Sequence, residues 1–154
     1  MRLLVLRFLC LLSLSVWVGG FTFYSAVVIP VLHESLGSLD TGYVTQRVTD
    51  YINAAGGVAV VIWWLLAWVD RSSGPALARR ARTGLLAATT VMLLGLIGLH
   101  RVMDSRLESD SLRGFYPLHR IYLVGSTVQW FANLGLMADV LILWRDGQNG
   151  RPRK

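Results

Sequence analysis

The sequence predicts an all-α fold, an integral membrane bundle of four transmembrane helices, from the length and composition of its apolar runs. Four runs contain no charged residue, apart from one aspartate in the last, and each is 17 to 25 residues long. At about 1.5 Å of rise per residue, a helix of that length crosses the ~30 Å hydrocarbon layer of a bilayer. With their flanking residues, the predicted spans are 8–32, 51–69, 83–101 and 120–144.

The composition supports one membrane domain and excludes a typical soluble one. Of the 154 residues, 54% are hydrophobic and only 16% are charged, which is too little polar surface for a soluble domain. The net charge of +6 does not indicate a nucleic-acid partner, because the basic residues lie between the apolar runs. We predict a membrane domain over residues 1–145 and a disordered basic tail over 146–154.

The first span begins like a secretory signal, since two arginines precede its apolar run. That run is 25 residues long, whereas a signal core is usually 7 to 15, and no small-residue cleavage site interrupts it. We therefore interpret it as an uncleaved helix. Gly19 and Gly20 predict a face for close helix packing, and Pro30 predicts a bend near the end of the helix.

The remaining spans are joined by segments with recognisable patterns. Apolar residues in 44–52 have helical spacing, which predicts an extension of the second span at the membrane interface. Before that extension, Gly37, Ser38 and Gly42 indicate a turn region. After the second span, a loop that contains residues 72–75 leads to 76–82, which predict a short basic helix that lies against anionic lipid. The fourth span precedes the predicted tail.

The distribution of basic residues predicts the orientation. If the four spans alternate in direction, ten of the 15 lysines and arginines lie on the side that carries both termini. By the positive-inside rule, both termini are then cytoplasmic. We expect a multi-pass protein of the inner (plasma) membrane.

The fourth span carries the polar residues that are most costly to place in lipid. Gln129 and Asn133, with Ser126 before them, are spaced by three and four residues and so predict a polar stripe on one helix face. Buried amides need partners, so the stripe should face the bundle. Asp139 lies inside the span and either pairs with an arginine, stays protonated or relays protons. Tyr24 on the first span is a further candidate for this polar interior.

The three histidines support an alternative interpretation. His33, His100 and His119 all lie at the ends of spans on the less basic side, at similar predicted depths. Imidazole binds zinc, copper or haem iron, and Asp104 lies one turn after His100, where it can orient that ring. A metal or haem site at the outer mouth of the bundle is thus possible, although histidine also tolerates the membrane interface without any ligand.

Two segments resemble a known family. The run from Trp17 to Leu32, WVGGFTFYSAVVIPVL, and the run from Phe115 to Tyr122, FYPLHRIY, with Asn133 beyond it, resemble the bacterial family of domain of unknown function 4149. That family is similar to the eukaryotic transmembrane protein 205. The resemblance implies a four-helix integral membrane protein and supplies no catalytic residues. His33 departs from the phenylalanine-like group usual in the family.

These observations favour a non-enzymatic membrane role, because no nucleophile-base pair, phosphate loop or paired-carboxylate motif is present. Binding, passage or stabilisation of a partner would use Gln129, Asn133 and Asp139, with the face at Gly19 and Gly20. The expected partners are the lipid bilayer and either other membrane subunits or a second copy of the chain. On this interpretation no cofactor is expected. On the alternative interpretation, the protein binds copper, zinc or haem.

Overall fold

The chain forms long helices, as the apolar runs predict. The structure is a computed structural model that describes residues 2–36, 38–70, 76–108 and 112–149, and all of these except residue 70 are helical. The first rod consists of α1 (Arg2–Phe23), a π-helical turn (Tyr24–Val28) and α2 (Ile29–Leu36) without interruption. Three more helices follow, which are α3 (Ser38–Val69), α4 (Ala76–Glu108) and α5 (Leu112–Asn149).

Three of the four rods are long and apolar enough to cross a membrane, within the part of the chain that the structure describes. They cover Arg2–Leu36, Asp40–Val69 and Ala76–Arg106. Helix α5, with 38 residues, is also long enough, but its amides and Asp139 make it less apolar. Its crossing of the membrane stays a prediction, as do the orientation and the identity of the membrane.

The helices extend beyond the predicted spans. Residues 44–52 belong to α3, so the helix predicted there is confirmed. Residues 76–82 are helical as well, but they form the first part of α4 and not a separate short helix. The positions of both segments relative to lipid stay predictions. Helix α5 continues to Asn149, into the segment that was predicted to be a tail. The turn region predicted from Gly37, Ser38 and Gly42 is wrong at 38–42, where α3 has already begun. Residue 37, the loop at 72–75 and the rest of the tail, 150–154, lie outside the described residues.

The rods pair as two antiparallel hairpins, α1 with α3 and α4 with α5. Each hairpin is joined by an ion pair at the same end of the bundle, which we call the basic end. In the first hairpin Arg7 Nη2 lies 2.9 Å from Asp70 Oδ2, and in the second Arg82 Nε lies 2.6 Å from Asp139 Oδ2. Of the outcomes predicted for Asp139, the structure therefore shows pairing with an arginine.

Between the hairpins, the half of the bundle towards the basic end is filled by aliphatic and aromatic side chains. We call this cluster the apolar core. Its buried members are Cys10, Leu14, Trp17, Ala59, Val60, Trp63, Leu66, Leu86, Leu93, Leu136 and Val140. Several of these are less than 2% exposed. Thr89, which lies on α4 between Leu86 and Leu93 and is 1% exposed, adds a buried hydroxyl to this otherwise apolar half of the bundle.

The close approach of α1 and α3 occurs at Gly56, beneath the ring of Trp17. A Cβ atom at Gly56 would lie 2.5 Å from Trp17 Cε2, so only glycine fits there. The packing face predicted at Gly19 and Gly20 is wrong for this bundle. Both glycines are exposed, and a Cβ at either would meet nothing within 4 Å.

The π-helical turn lies directly before Pro30, where the sequence predicts a bend. Proline lacks the N–H that an α-helix requires, and its ring clashes with the carbonyl four residues earlier. A wider π-helical turn relieves this conflict without ending the helix. Tyr24, the first residue of the turn, is buried and donates a hydrogen bond of 3.0 Å to the carbonyl oxygen of Thr45 on α3. The turn thus also fixes the first rod against α3.

Candidate functional site

A small cavity lies at the centre of the bundle, next to the apolar core and away from the basic end. We call it the core chamber, and its volume is about 30 Å³. All four rods contribute to its lining, which consists of Trp17, Val18, Phe21, Ile52, Asn53, Leu96, Tyr122, Ser126, Gln129, Trp130 and Asn133.

The polar side of the chamber comes from one face of α5. Ser126, Gln129 and Asn133 are 6%, 4% and 3% exposed, because their spacing places all three on the side of α5 that faces the other helices. The structure thus places the predicted polar stripe inside the bundle. Gln129 Nε2 donates a 3.3 Å hydrogen bond to the carbonyl oxygen of Thr89 on α4.

Three polar atoms in the chamber lining are buried without a hydrogen-bond partner in the described part of the chain. They are Asn53 Nδ2, Ser126 Oγ and Asn133 Oδ1. The Tyr122 side chain approaches Asn53 and Ser126, but not with the geometry that would satisfy Asn53 Nδ2 or Ser126 Oγ. A buried polar atom without a partner costs about 1–3 kcal/mol, and these three all line the same cavity.

The two ends of the chamber differ in chemistry. Towards the basic end it meets the apolar core. In the other direction Tyr122 lies 6.0 Å from His100, ring centre to ring centre. His100 Nε2 in turn lies 3.7 Å from both Asp50 Oδ1 and Asp104 Oδ2. Polar side chains therefore continue from the chamber to this end of the bundle.

The remaining predicted binding residues lie outside the chamber. Asp139 is held at the basic end by Arg82, while Tyr24 binds α3 and Gly19 and Gly20 face outwards. Asn53 was not predicted, although it is the only amide in the second apolar run and that signal was available in the sequence.

The candidate metal ligands are dispersed. His33 is exposed on α2, and His119 stacks on Phe115 at 5.7 Å between ring centres. Burial lowers the pKa of His119 below its usual value. His100 and Asp104 approach each other as predicted, yet no group of three His, Cys, Asp or Glu side chains in the described ranges is arranged to hold a metal ion.

We expect the purified protein to contain no stoichiometric copper, zinc or iron, and to lack a Soret band. The reason is that His33, His100 and His119 do not converge. Elemental analysis and an absorption spectrum of protein purified without chelators check this. A stoichiometric metal that His100→Ala removes would restore the metal interpretation.

Comparison with known proteins identifies one match. The model of a family described as a domain of unknown function (DUF4149) matches residues 12–105, which extend from α1 into α4. No curated protein and no solved structure matches the chain. The matched region ends before α5, so the family resemblance of Phe115 to Tyr122 and the similarity to transmembrane protein 205 stay predictions.

Proposed function

The chain belongs to the DUF4149 family, and we propose that it is a non-enzymatic, four-span membrane protein that binds a small, uncharged, hydrogen-bonding molecule in the core chamber. One observation carries the proposal. Three buried polar atoms without partners among the described residues, on α3 and α5, line one cavity. Amides, hydroxyls and aromatic rings are groups that hold a guest by hydrogen bonds and packing.

The chemistry of the lining defines the guest. Asn53 Nδ2 offers a donor, Asn133 Oδ1 offers an acceptor, and Ser126 Oγ can act as either. A molecule that both accepts and donates hydrogen bonds complements this set, as small alcohols and amides do. The residues that line the chamber include no charged side chain, so an ion would lose its hydration without compensation.

The size of the chamber limits the guest to a few atoms. A water molecule needs roughly 10–15 Å³ of such space, so 30 Å³ accommodates about two waters or one molecule of similar size. The chamber therefore suits molecules such as methanol or formamide, and larger guests require the helices to separate.

The surroundings of the chamber favour binding over passage. The apolar core closes the route from the chamber to the basic end, because its side chains, such as Leu136 and Val140, are 1% and 0% exposed. The opposite direction is lined by Tyr122 and His100. We propose that the guest enters and leaves by the His100 end, which on the predicted orientation faces away from the cytoplasm.

Thermal unfolding of purified protein in detergent tests the proposal against a panel of methanol, formamide, acetamide and urea at millimolar concentrations. We expect at least one solute to raise the melting temperature in a saturable manner. Asn133→Leu should abolish that shift, because leucine removes the acceptor and fills the chamber. The variant without solute should remain folded, since it also removes a buried unsatisfied atom.

Thr127→Val is the matched control on the same helix. The Thr127 hydroxyl is exposed and donates to the carbonyl oxygen of Leu123 in its own helix, so this variant should keep the full solute response. If no solute acts on the wild type, or if Asn133→Leu responds equally well, the chamber is a hydrated packing defect and the proposal fails.

A further inference from the structure

We propose that the groove between α3 and α4 at the basic end binds one anionic phospholipid, with its phosphate among arginines and an acyl chain along neighbouring aromatic side chains. This inference does not depend on the core chamber. It rests on two adjoining surface cavities of opposite character.

The first cavity, the headgroup cavity, is strongly basic. Its volume is about 480 Å³, and it is lined by Ala67, Asp70, Ala76, Arg79, Arg80, Arg82, Thr83, Gly84 and Ala87. Small side chains make room between the arginines. Three arginines and a single aspartate are among these lining residues, so the cavity carries an excess of positive charge.

Arg82 supplies a second, independent indication of an anion. The residue is 7% exposed, and its Nε donates to Asp139 Oδ2. Its Nη2 atom, by contrast, is buried without a hydrogen-bond partner in the described part of the chain. A guanidinium group binds phosphate through several donors at once, and Arg82 lines the headgroup cavity. Because Nη2 itself is shielded from solvent, a phosphate oxygen would become its acceptor once the side chain turns towards the cavity.

The second cavity, the tail groove, is apolar and adjoins the first. Its volume is about 510 Å³, and it is lined by Val61, Trp64, Leu65, Ala67, Trp68 and Thr83. Ala67 and Thr83 line both cavities. Trp68 is 63% exposed and Val61 60%, on the face of α3 that meets the bilayer if α3 spans it. Tryptophan at this position is typical of the membrane interface.

The combination selects the ligand. Free phosphate would use only the headgroup cavity, and a lipid without net charge would not complement its basic lining. A phospholipid with a net negative headgroup fits both cavities, with its phosphate at the arginines and a chain beside Trp64 and Trp68. Phosphatidylglycerol is a suitable probe of this class.

Native mass spectrometry of the detergent-solubilised protein measures the affinity directly. We expect phosphatidylglycerol to bind in a one-to-one complex at least about tenfold more tightly than phosphatidylcholine with the same chains. The double variant, which carries both Arg79→Gln and Arg80→Gln, should lower the affinity for phosphatidylglycerol about tenfold. It leaves Arg82 and its ion pair in place, and thermal unfolding without lipid checks that it folds.

The matched control is Arg2→Gln with Arg145→Gln, which removes the same charge from the same end of the bundle. If the control weakens binding as much as the test variant, attraction by overall charge explains the result and the site is overturned. Equal affinities for phosphatidylglycerol and phosphatidylcholine would also overturn it.

A second pair of measurements separates a lipid from a free anion. Inorganic phosphate should bind the wild type at least about a hundredfold more weakly than phosphatidylglycerol, because it leaves the tail groove empty. Trp68→Ala should weaken phosphatidylglycerol and leave phosphate unaffected. If phosphate binds as well as the lipid, or if Trp68→Ala has no effect on the lipid, the ligand is a soluble anion and the lipid assignment is wrong.

Discussion

Replacement of Asp139 by asparagine should lower the free energy of unfolding by about 3 kcal/mol. The side chain of Arg82, which Asp139 pairs with at 2.6 Å, is only 5% exposed. An asparagine side chain would keep the shape of the contact but leave a buried guanidinium without a counter-charge, a loss that typically costs ~3–5 kcal/mol. Asp139 itself is 29% exposed, so we expect the lower end of that range. Unfolding in mixed detergent micelles gives the measurement.

The same substitution at Asp50 provides a matched control at the opposite end of the bundle. Asp50 Oδ1 lies 3.9 Å from Arg101 Nη2 and 3.7 Å from His100 Nε2. The Asp50 side chain is 46% exposed, so we expect its loss to cost about 0–1 kcal/mol. Asp139→Asn combined with Arg82→Gln should recover much of the lost stability, because no unpaired charge remains. Equal effects of Asp139→Asn and Asp50→Asn would show that the Arg82 pair behaves like a surface pair.

Gly56→Ala should lower the free energy of unfolding by about 1–3 kcal/mol. The added methyl group would lie 2.5 Å from Trp17 Cε2 and 2.6 Å from Cζ2. Because Trp17 belongs to the apolar core, its ring has little room to move, and α1 and α3 would have to separate. The measurement is again unfolding in mixed micelles.

The neighbouring glycine gives a control that differs by one position. A Cβ at Gly57 meets nothing within 4 Å, so Gly57→Ala should be neutral or slightly stabilising through its higher helix propensity. Trp17→Phe should reduce the damage done by Gly56→Ala, since the smaller ring leaves space for the methyl group. Equal stabilities of the two alanine variants would contradict the close approach of α1 and α3.

The helical fold and the inward orientation of the polar stripe were predictable because both depend on spacing along a single helix. An apolar run of about 20 residues determines a span, and residues three and four apart share a face. Gln129 and Asn133 could therefore be placed towards the bundle before its neighbours were known.

Features that depend on which helices touch were not predictable in the same way. In the sequence, Arg82 is one of the basic residues that predict the orientation, and nothing there pairs it with Asp139, 57 residues later. Gly19, Gly20 and Gly56 all lie in apolar runs, and only the position of the Trp17 ring decides which glycine is indispensable. Asn53 joins the chamber because α3 lines it together with α5, an arrangement without a local signal.

The division into two hairpins has a consequence for biogenesis. Arg7 and Asp70 both belong to the first hairpin, so its charges can neutralise each other while the ribosome is still translating α4. Asp139 is synthesised 57 residues after Arg82. At about 5–20 residues per second, translation of that interval takes roughly 3–11 s. The nascent chain therefore passes through a stage in which half of the protein is assembled and one arginine awaits its carboxylate. A premature stop before Asp139 would leave that intermediate as a target for membrane quality control.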